Sequence, residues 1–192
     1  DSVNFALSAR GFPERSREEI RAFIGKGIRN LISRSVPDGT EAETEAEVFR
    51  TFKEHYAKNL KNKTAPYAGI PELLDSLKKR NVKTAVVSNK FDAGVKELCA
   101  YYFPGLIGAA VGESETVKRK PAPDSALSAL KALGSSAEAA LYIGDSDVDV
   151  ITAKNAGIRF IGVSWGFRSA EFLKGNGAET VVDRPEDILK FL

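Results

Sequence analysis

The chain has 192 residues, of which 43% are hydrophobic and 28% charged, and its formal net charge is +2 at pH 7. These values are typical of a soluble globular protein with one or two domains, and they give no electrostatic reason to expect a nucleic-acid partner. No apolar run approaches the roughly 18 residues of a membrane span, so no membrane association is expected. Cys99 is the single cysteine, which excludes an internal disulfide and fits a reducing compartment such as the cytoplasm. His55 is the only histidine, which argues against histidine-rich metal sites and histidine-dependent triads.

Residues 1–63 are predicted to be entirely helical. Ser16 and Glu19 have the spacing of a capping box, which marks the start of a helix. A long charged segment from about 41 to 61 carries apolar residues at helical spacing, among them Val48 and Phe52. This part has no strand pattern, so we expect residues 1–63 to form a small all-helical domain.

Residues 64–192 alternate between strand and helix patterns. Such alternation is typical of a parallel sheet with helices on both faces. The fold class predicted for the chain is therefore α/β, with the helical domain in front of it. Short apolar runs predict strands at 82–88, 106–111, 141–144, 160–163 and 180–182.

A pair of carboxylates follows the strand predicted to end at Gly144. Asp145 comes directly after this glycine, and Asp149 lies one helical turn further on the same face. Parallel sheets bind ligands beyond the carboxyl ends of their strands, and one or two carboxylates there suit Mg²⁺. The alternative is an acidic helix N-terminus that the helix dipole favours.

Two further segments could bind a phosphate. Ser88 and Asn89 end the first predicted strand, where a hydroxyl and backbone N–H groups can hold an anion. Either residue could instead cap the next helix. Lys120 precedes Pro121 and Pro123, which restrict the backbone and could aim the ammonium at a phosphate, although a solvated basic loop is the better explanation of this segment taken alone. Together with the carboxylates, these groups make up an inventory for phosphoryl transfer.

The order of these segments resembles that of haloacid-dehalogenase-superfamily phosphatases, in particular the phosphoglycolate phosphatase group. The resemblance covers about residues 66–183 and implies a Rossmann-like core, and the preceding helical segment resembles the small cap domain of that family. The matching stretches are VVSN at 86–89, KPAPD at 120–124, GDSDVD at 144–149 and GVSWGF at 162–167.

The resemblance implies a role for five residues. Ser88 would bind a phosphoryl oxygen, and Asn89 would shape the same phosphate-binding loop. Lys120 would bridge the catalytic nucleophile and the phosphoryl group. Asp145 would be a direct ligand of Mg²⁺, and Asp149 would support the metal through water or orient the lysine.

The nucleophile of the family is the first aspartate of an Asp-x-Asp-Gly-Thr motif after the first core strand, and the sequence lacks this motif. Asp38 is followed by Gly39 and Thr40, but it comes after a predicted helix and has Val36 two positions earlier. We therefore expect the nucleophile and its central strand to lie upstream of Asp1. Without that strand, the segments at 82–88 and 141–144 would have unpaired edges.

The leading hypothesis is a cytoplasmic, monomeric or homodimeric phosphatase that requires Mg²⁺ and acts on a small phosphorylated metabolite such as phosphoglycolate. Lys26 and Arg29 could read that substrate, or could belong to a solvated face. Related alternatives are a pyrophosphatase, a sugar-phosphate phosphatase and a phosphoglucomutase. Two others are a metal-free haloacid dehalogenase, against which the carboxylate pair argues, and a protein that binds a phosphometabolite or a partner without turnover.

Overall fold

A computed structural model describes residues 1–24 and 27–192, so the prediction for Lys26 lies outside the described residues. The chain divides into two compact units, Asp1–Thr64 and Ala65–Leu192. No helix in the described part of the chain is long and apolar enough to cross a membrane.

Helices joined by turns and loops make up the first unit, and its described residues contain no strand. Ser16 and Glu19 form the predicted capping box, with each side chain accepting a hydrogen bond from the other's backbone N–H. The side chain of Arg15 donates to the carbonyl oxygens of Ser35 and Val36, which satisfies the end of the third helix. The helices are α1 (Ser2–Ser8), α2 (Arg17–Phe23), α3 (Ile28–Ser35) and α4 (Ala42–Lys58), and their shared core contains Val3, Leu7, Ile32, Val48 and Phe52.

The second unit alternates between helices and strands, which confirms the predicted α/β class. β1 begins later than predicted, because the N–H of Val82 instead closes the preceding helix by donating to the carbonyl of Leu77. It also ends later, because Phe91 pairs with Glu113 after a shift in register. The elements are α5 (Ile70–Lys79), β1 (Ala85–Phe91), α6 (Asp92–Tyr102), β2 (Ala109–Glu113), α7 (Asp124–Leu133), β3 (Leu141–Gly144), α8 (Asp147–Ala156), β4 (Arg159–Val163), α9 (Ala170–Gly175), β5 (Val181–Val182) and a 3-10 helix (Pro185–Phe191).

The five strands form two parallel sheets rather than the single sheet that the alternation predicts. β1 pairs with β2, and β3, β4 and β5 form the other sheet in that order. Within the described residues, β1 and β3 therefore each have one partner strand and one open edge. Val86 and Val87 are only half-buried and Ile143 is 37% exposed, so apolar side chains remain partly uncovered on both strands.

Helix packing holds the two sheets in one unit. α7 packs on β1 and β2 and also contacts α8, which packs on β3 and β4. A shared apolar cluster contains Ala126 of α7, Tyr142 of β3 and Ala153 of α8, with Val87 of β1 packed against it. Of the residues singled out from the sequence, Ser88 and Asn89 lie within β1, Lys120 lies in the loop after β2, and Asp145 directly follows β3.

Candidate active site

An ion pair between Lys120 and Asp149 lies at the centre of the site. The Lys120 ammonium is 2.7 Å from Oδ1 of Asp149, and the two side chains are only 14% and 7% exposed. The same ammonium lies 3.4 Å from the carbonyl oxygen of Val87, which lies within β1. Lys118 and Arg119, the neighbouring basic residues, are exposed. Lys120 is thus turned inward, so the solvated-loop explanation does not apply to it.

Asp149 accepts hydrogen bonds at both of its carboxylate oxygens. Oδ1 accepts from the Lys120 ammonium and from the hydroxyl of Tyr142 at 3.1 Å. Oδ2 accepts from the hydroxyl of Ser146 at 2.6 Å and from the backbone N–H of Asp145 at 3.3 Å. Four donors use the lone pairs of this carboxylate, so its geometry suits an orienting role for the lysine better than direct metal binding.

The charge state of Asp149 follows from these contacts. Burial acts to raise the pKa of its carboxyl, but the nearby Lys120 ammonium and the hydrogen bonds outweigh burial, and the pKa lies below its ordinary value. Burial, followed by the negative charge of Asp149, raises the pKa of Tyr142, so its hydroxyl remains a donor. The carboxyl of Asp149 is therefore ionised at neutral pH.

Asp145 differs from Asp149 in its contacts. Its Oδ2 accepts one hydrogen bond, from the backbone N–H of Phe167 at 2.9 Å. Burial raises the pKa of Asp145; the hydrogen bond from Phe167 and the Lys120 ammonium oppose this effect, and the charge of Asp149 adds to it. Ionising this half-buried carboxyl costs free energy, and a bound cation would offset that cost with its positive charge. Asp145 is therefore well suited to bind a cation.

Two glycines allow these carboxylates to lie where they do. A Cβ at Gly144 would overlap the side chain of Asp149, and a Cβ at Gly166 would overlap the carboxylate of Asp145. Gly166 belongs to the loop after β4, whose next residue, Phe167, donates to Asp145. The GVSWGF stretch recognised in the sequence therefore forms one wall around Asp145.

Ser88 and Asn89 lie within β1 and do not cap α6, whose N-cap is Phe91. The hydroxyl oxygen of Ser88 accepts the backbone N–H of Lys90 at 3.2 Å. The carboxamide of Asn89 accepts the backbone N–H of Lys120 at 2.7 Å and donates to its carbonyl at 3.1 Å. Asn89 thus connects the end of β1 to the lysine loop, and the helix-cap alternative is wrong.

A Mg²⁺ ion fits this arrangement with Asp145 as its protein ligand. The described residues contain no group of three or more histidine, cysteine or acidic side chains that could hold a metal alone. Mg²⁺ does not require one, since it usually binds one or two carboxylates and completes its shell with water and substrate phosphate. Of the two aspartates predicted as metal ligands, Asp145 thus suits direct binding of the ion, and Asp149 suits the orientation of Lys120.

In the first unit, Arg29 is exposed and its guanidinium lies 4.6 Å from the centre of the Phe49 ring. Asp38 lies on a turn after α3, without the strand that the family's nucleophile follows. His55 stacks on the ring of Phe5 at 3.9 Å and shares a hydrogen bond with Ser2, so it has a packing role. Sequence reasoning assigned no role to Tyr142 and did not predict that Phe167, in the GVSWGF stretch, contacts Asp145, because both contacts depend on the fold.

The family model described as haloacid dehalogenase-like hydrolase matches residues 1–163. The chain belongs to this family. It is 30% identical to a phosphoglycolate phosphatase of Aquifex aeolicus over 97% of the chain and 84% of that relative. It is 32% identical to phosphoglycolate phosphatase 1 of Pseudomonas aeruginosa over 98% of the chain and 71% of that relative.

The solved structures agree with this membership. A crystal structure of a candidate phosphoglycolate phosphatase from Lactobacillus delbrueckii superposes with a TM-score of 0.90 at 33% identity, over 99% of the present chain and 89% of the other. The resemblance to haloacid-dehalogenase-superfamily proteins that the four sequence stretches indicated is therefore confirmed, as is the Rossmann-like α/β class.

Proposed function

We propose that this haloacid dehalogenase-like hydrolase is a Mg²⁺-dependent phosphatase of a small phosphorylated metabolite, with phosphoglycolate as the first candidate. The similarity to named phosphoglycolate phosphatases supports a phosphoric monoester hydrolase. The observation that carries the proposal is the buried Lys120–Asp149 pair next to Asp145. It places a fixed positive charge beside a carboxylate suited to a metal, at the strand ends where such folds bind ligands.

Each group then has a distinct task. Asp145 would hold Mg²⁺, which supplies positive charge to the phosphoryl oxygens when bound. Lys120 neutralises negative charge on the phosphoryl group, and Asp149 keeps the ammonium in place. The hydroxyl of Ser88, whose oxygen accepts from Lys90, would donate its hydrogen to a phosphoryl oxygen. Charge neutralisation and positioning are the main sources of catalysis in phosphoryl transfer.

The nucleophile in this proposal is an aspartate on a strand that precedes Asp1. Asp145 and Asp149 are already assigned to the metal and the lysine. Such a strand could pair with the open edges of β1 and β3. Pairing there would cover the partly exposed side chains of Val86, Val87 and Ile143. An oxygen of that aspartate would attack phosphorus, the bond from phosphorus to the substrate oxygen would break, and the substrate oxygen would take a proton from the second aspartate of the Asp-x-Asp-Gly-Thr motif. Water would then attack the phosphoaspartate and give a proton back to the second aspartate, and the bond from phosphorus to the first aspartate would break to release inorganic phosphate.

The remaining parts of the proposal concern the helical unit and the setting of the enzyme. The helices of Asp1–Thr64 would serve as the cap that selects the substrate, with Arg29 as a candidate for reading a carboxylate. The enzyme would act in the cytoplasm as a monomer or homodimer.

The test compares product release by the full-length protein from two substrate classes. Phosphoglycolate with Mg²⁺ should yield inorganic phosphate, while a 2-haloacid should yield no halide. Asp145→Asn should remove the activity, whereas Asp147→Asn should leave it within about threefold. The half-exposed Asp147 side chain lies near Arg168 and, among the described residues, forms no hydrogen bond or ion pair with Lys120 or Asp149. Halide release that is indifferent to Mg²⁺ would favour the dehalogenase instead. Absence of both products would favour a protein that binds without turnover.

A further inference from the structure

The strongest unexplained contact in the site is the double hydrogen bond between Asn89 and the backbone of Lys120. Oδ1 accepts the Lys120 N–H at 2.7 Å, and Nδ2 donates to the Lys120 carbonyl at 3.1 Å. A side-chain amide that bonds both polar groups of one residue imitates the pairing of an adjacent strand. We call this pair of bonds the Asn89 clasp.

The clasp fixes the base of a side chain whose tip is fixed elsewhere. The four-carbon stem of lysine is flexible, so an ammonium is placed accurately only if its backbone is held as well. The Lys120 tip bonds Asp149, and its base bonds Asn89. On the other side of the loop, Nδ2 of Asn155 donates to the carbonyl of Pro121 at 2.8 Å, but this bond is exposed. The half-buried clasp is the stronger restraint of the two.

We propose that Asn89 is a positioning residue that acts through Lys120 and makes no energetically important contact with phosphate. This inference rests on the proposed function and refines the role that the family resemblance gave to Asn89. Both ends of its carboxamide already face the backbone of Lys120. Removing the side chain therefore loosens the lysine, while the hydroxyl of Ser88 stays available for the phosphoryl group.

A double-mutant cycle on the full-length protein tests this directly. Asn89→Ala should lower kcat about 100-fold with KM within about threefold, because misplacing a catalytic group by about 1 Å has an effect of that size. In a Lys120→Gln background, which is neutral but can still donate to Asp149, the same substitution should lower kcat by less than about threefold. Asn155→Ala is the matched control, because Asn155 of α8 donates a hydrogen bond to the same loop, and this variant should stay within about threefold of the unaltered protein.

Two results of the cycle would overturn the inference. One is an equal loss from Asn89→Ala in both backgrounds, which would mean that Asn89 acts independently of Lys120. The other is a raised KM together with weaker binding of inorganic phosphate, as expected if Asn89 held the anion. A loss of folding stability alone would appear equally in both backgrounds, so it cannot imitate the predicted result.

Hydrogen exchange gives a readout that does not depend on activity. The Lys120 amide should be protected in the unaltered protein, should exchange freely in Asn89→Ala, and should remain protected in Asn89→Asp, which keeps the acceptor. A freely exchanging Lys120 amide in the unaltered protein would refute the clasp. A protected amide in a protein that hydrolyses no phosphate ester would support the clasp and refute the proposed function, so the two failures are distinguishable.

Discussion

Replacing Asp149 by asparagine removes the negative charge of this side chain and keeps its size and shape. Asparagine has the same outline and its oxygen can still accept from Lys120 and Tyr142. Its amide group, however, would face the hydroxyl of Ser146 and the N–H of Asp145, and both of these donate to Asp149 in the structure. The Lys120 ammonium, with its side chain only 14% exposed, would lose its counter-charge.

Removing one partner of a buried ion pair costs about 3–5 kcal/mol of unfolding free energy. Because asparagine retains part of the hydrogen bonding, we expect a loss of about 3 kcal/mol for Asp149→Asn at pH 7. Urea denaturation of the full-length protein measures this value from the transition midpoint. Asp147→Asn is the matched control, since Asp147 lies 3.7 Å from Arg168 with both side chains more than a third exposed, and should cost less than about 1 kcal/mol. Equal losses for the two variants would refute the argument.

The same variant has a predicted pH dependence. The folded-state pKa of Asp149 lies below its ordinary value of 3.8, so the folded state binds this proton less tightly than the unfolded state does. The stabilisation is therefore fully present above the unfolded value and is lost as the pH falls through the folded value. The difference between the unaltered protein and Asp149→Asn should stay constant from pH 7 to about pH 5 and narrow below about pH 4. A difference that widened in acid would contradict the assignment.

Two further substitutions test the metal assignment. Without Mg²⁺, Asp145→Asn should raise the unfolding free energy at pH 7, because burial raises the pKa of this carboxyl and its ionisation therefore opposes folding. When Mg²⁺ is added, the melting temperature should rise for the unaltered protein but not for Asp145→Asn. A lower unfolding free energy of Asp145→Asn without Mg²⁺, or an equal rise in the melting temperatures of both proteins with Mg²⁺, would argue against Asp145 as the ligand. Gly166→Ala should weaken Mg²⁺ binding about 10- to 100-fold in calorimetry by displacing the Asp145 carboxylate, whereas Gly175→Ala, where a Cβ meets open space, should not change it. Unchanged affinity in Gly166→Ala would show that the loop does not shape the site.

The fold class could be predicted, and candidate site residues could be chosen, because their signals are local. A short apolar run followed by a glycine and carboxylates is legible in the sequence, and Asp145 and Asp149 lie where that pattern placed them. The different hydrogen-bond partners of these two carboxylates could not be predicted. It depends on Tyr142 and Phe167, whose donors reach the site only after the strands have paired.

Boundaries and loop contacts were also beyond the reach of sequence patterns. β1 runs on through Asn89 to Phe91 because of pairing with β2, which no local pattern shows. The clasp joins Asn89 to Lys120, residues 31 positions apart, through the backbone of the lysine. Backbone atoms are the same in every residue, so the sequence carries no mark of such a bond.

The most direct test of the central claim is the rate at which the full-length protein releases inorganic phosphate from phosphoglycolate as free Mg²⁺ is varied. If Asp145 holds a catalytic Mg²⁺, the rate should rise saturably with Mg²⁺, be lost on chelation, and fall at least about 100-fold in Asp145→Asn. A rate unchanged by chelation, or an Asp145→Asn variant that keeps the dependence on Mg²⁺, would contradict that claim.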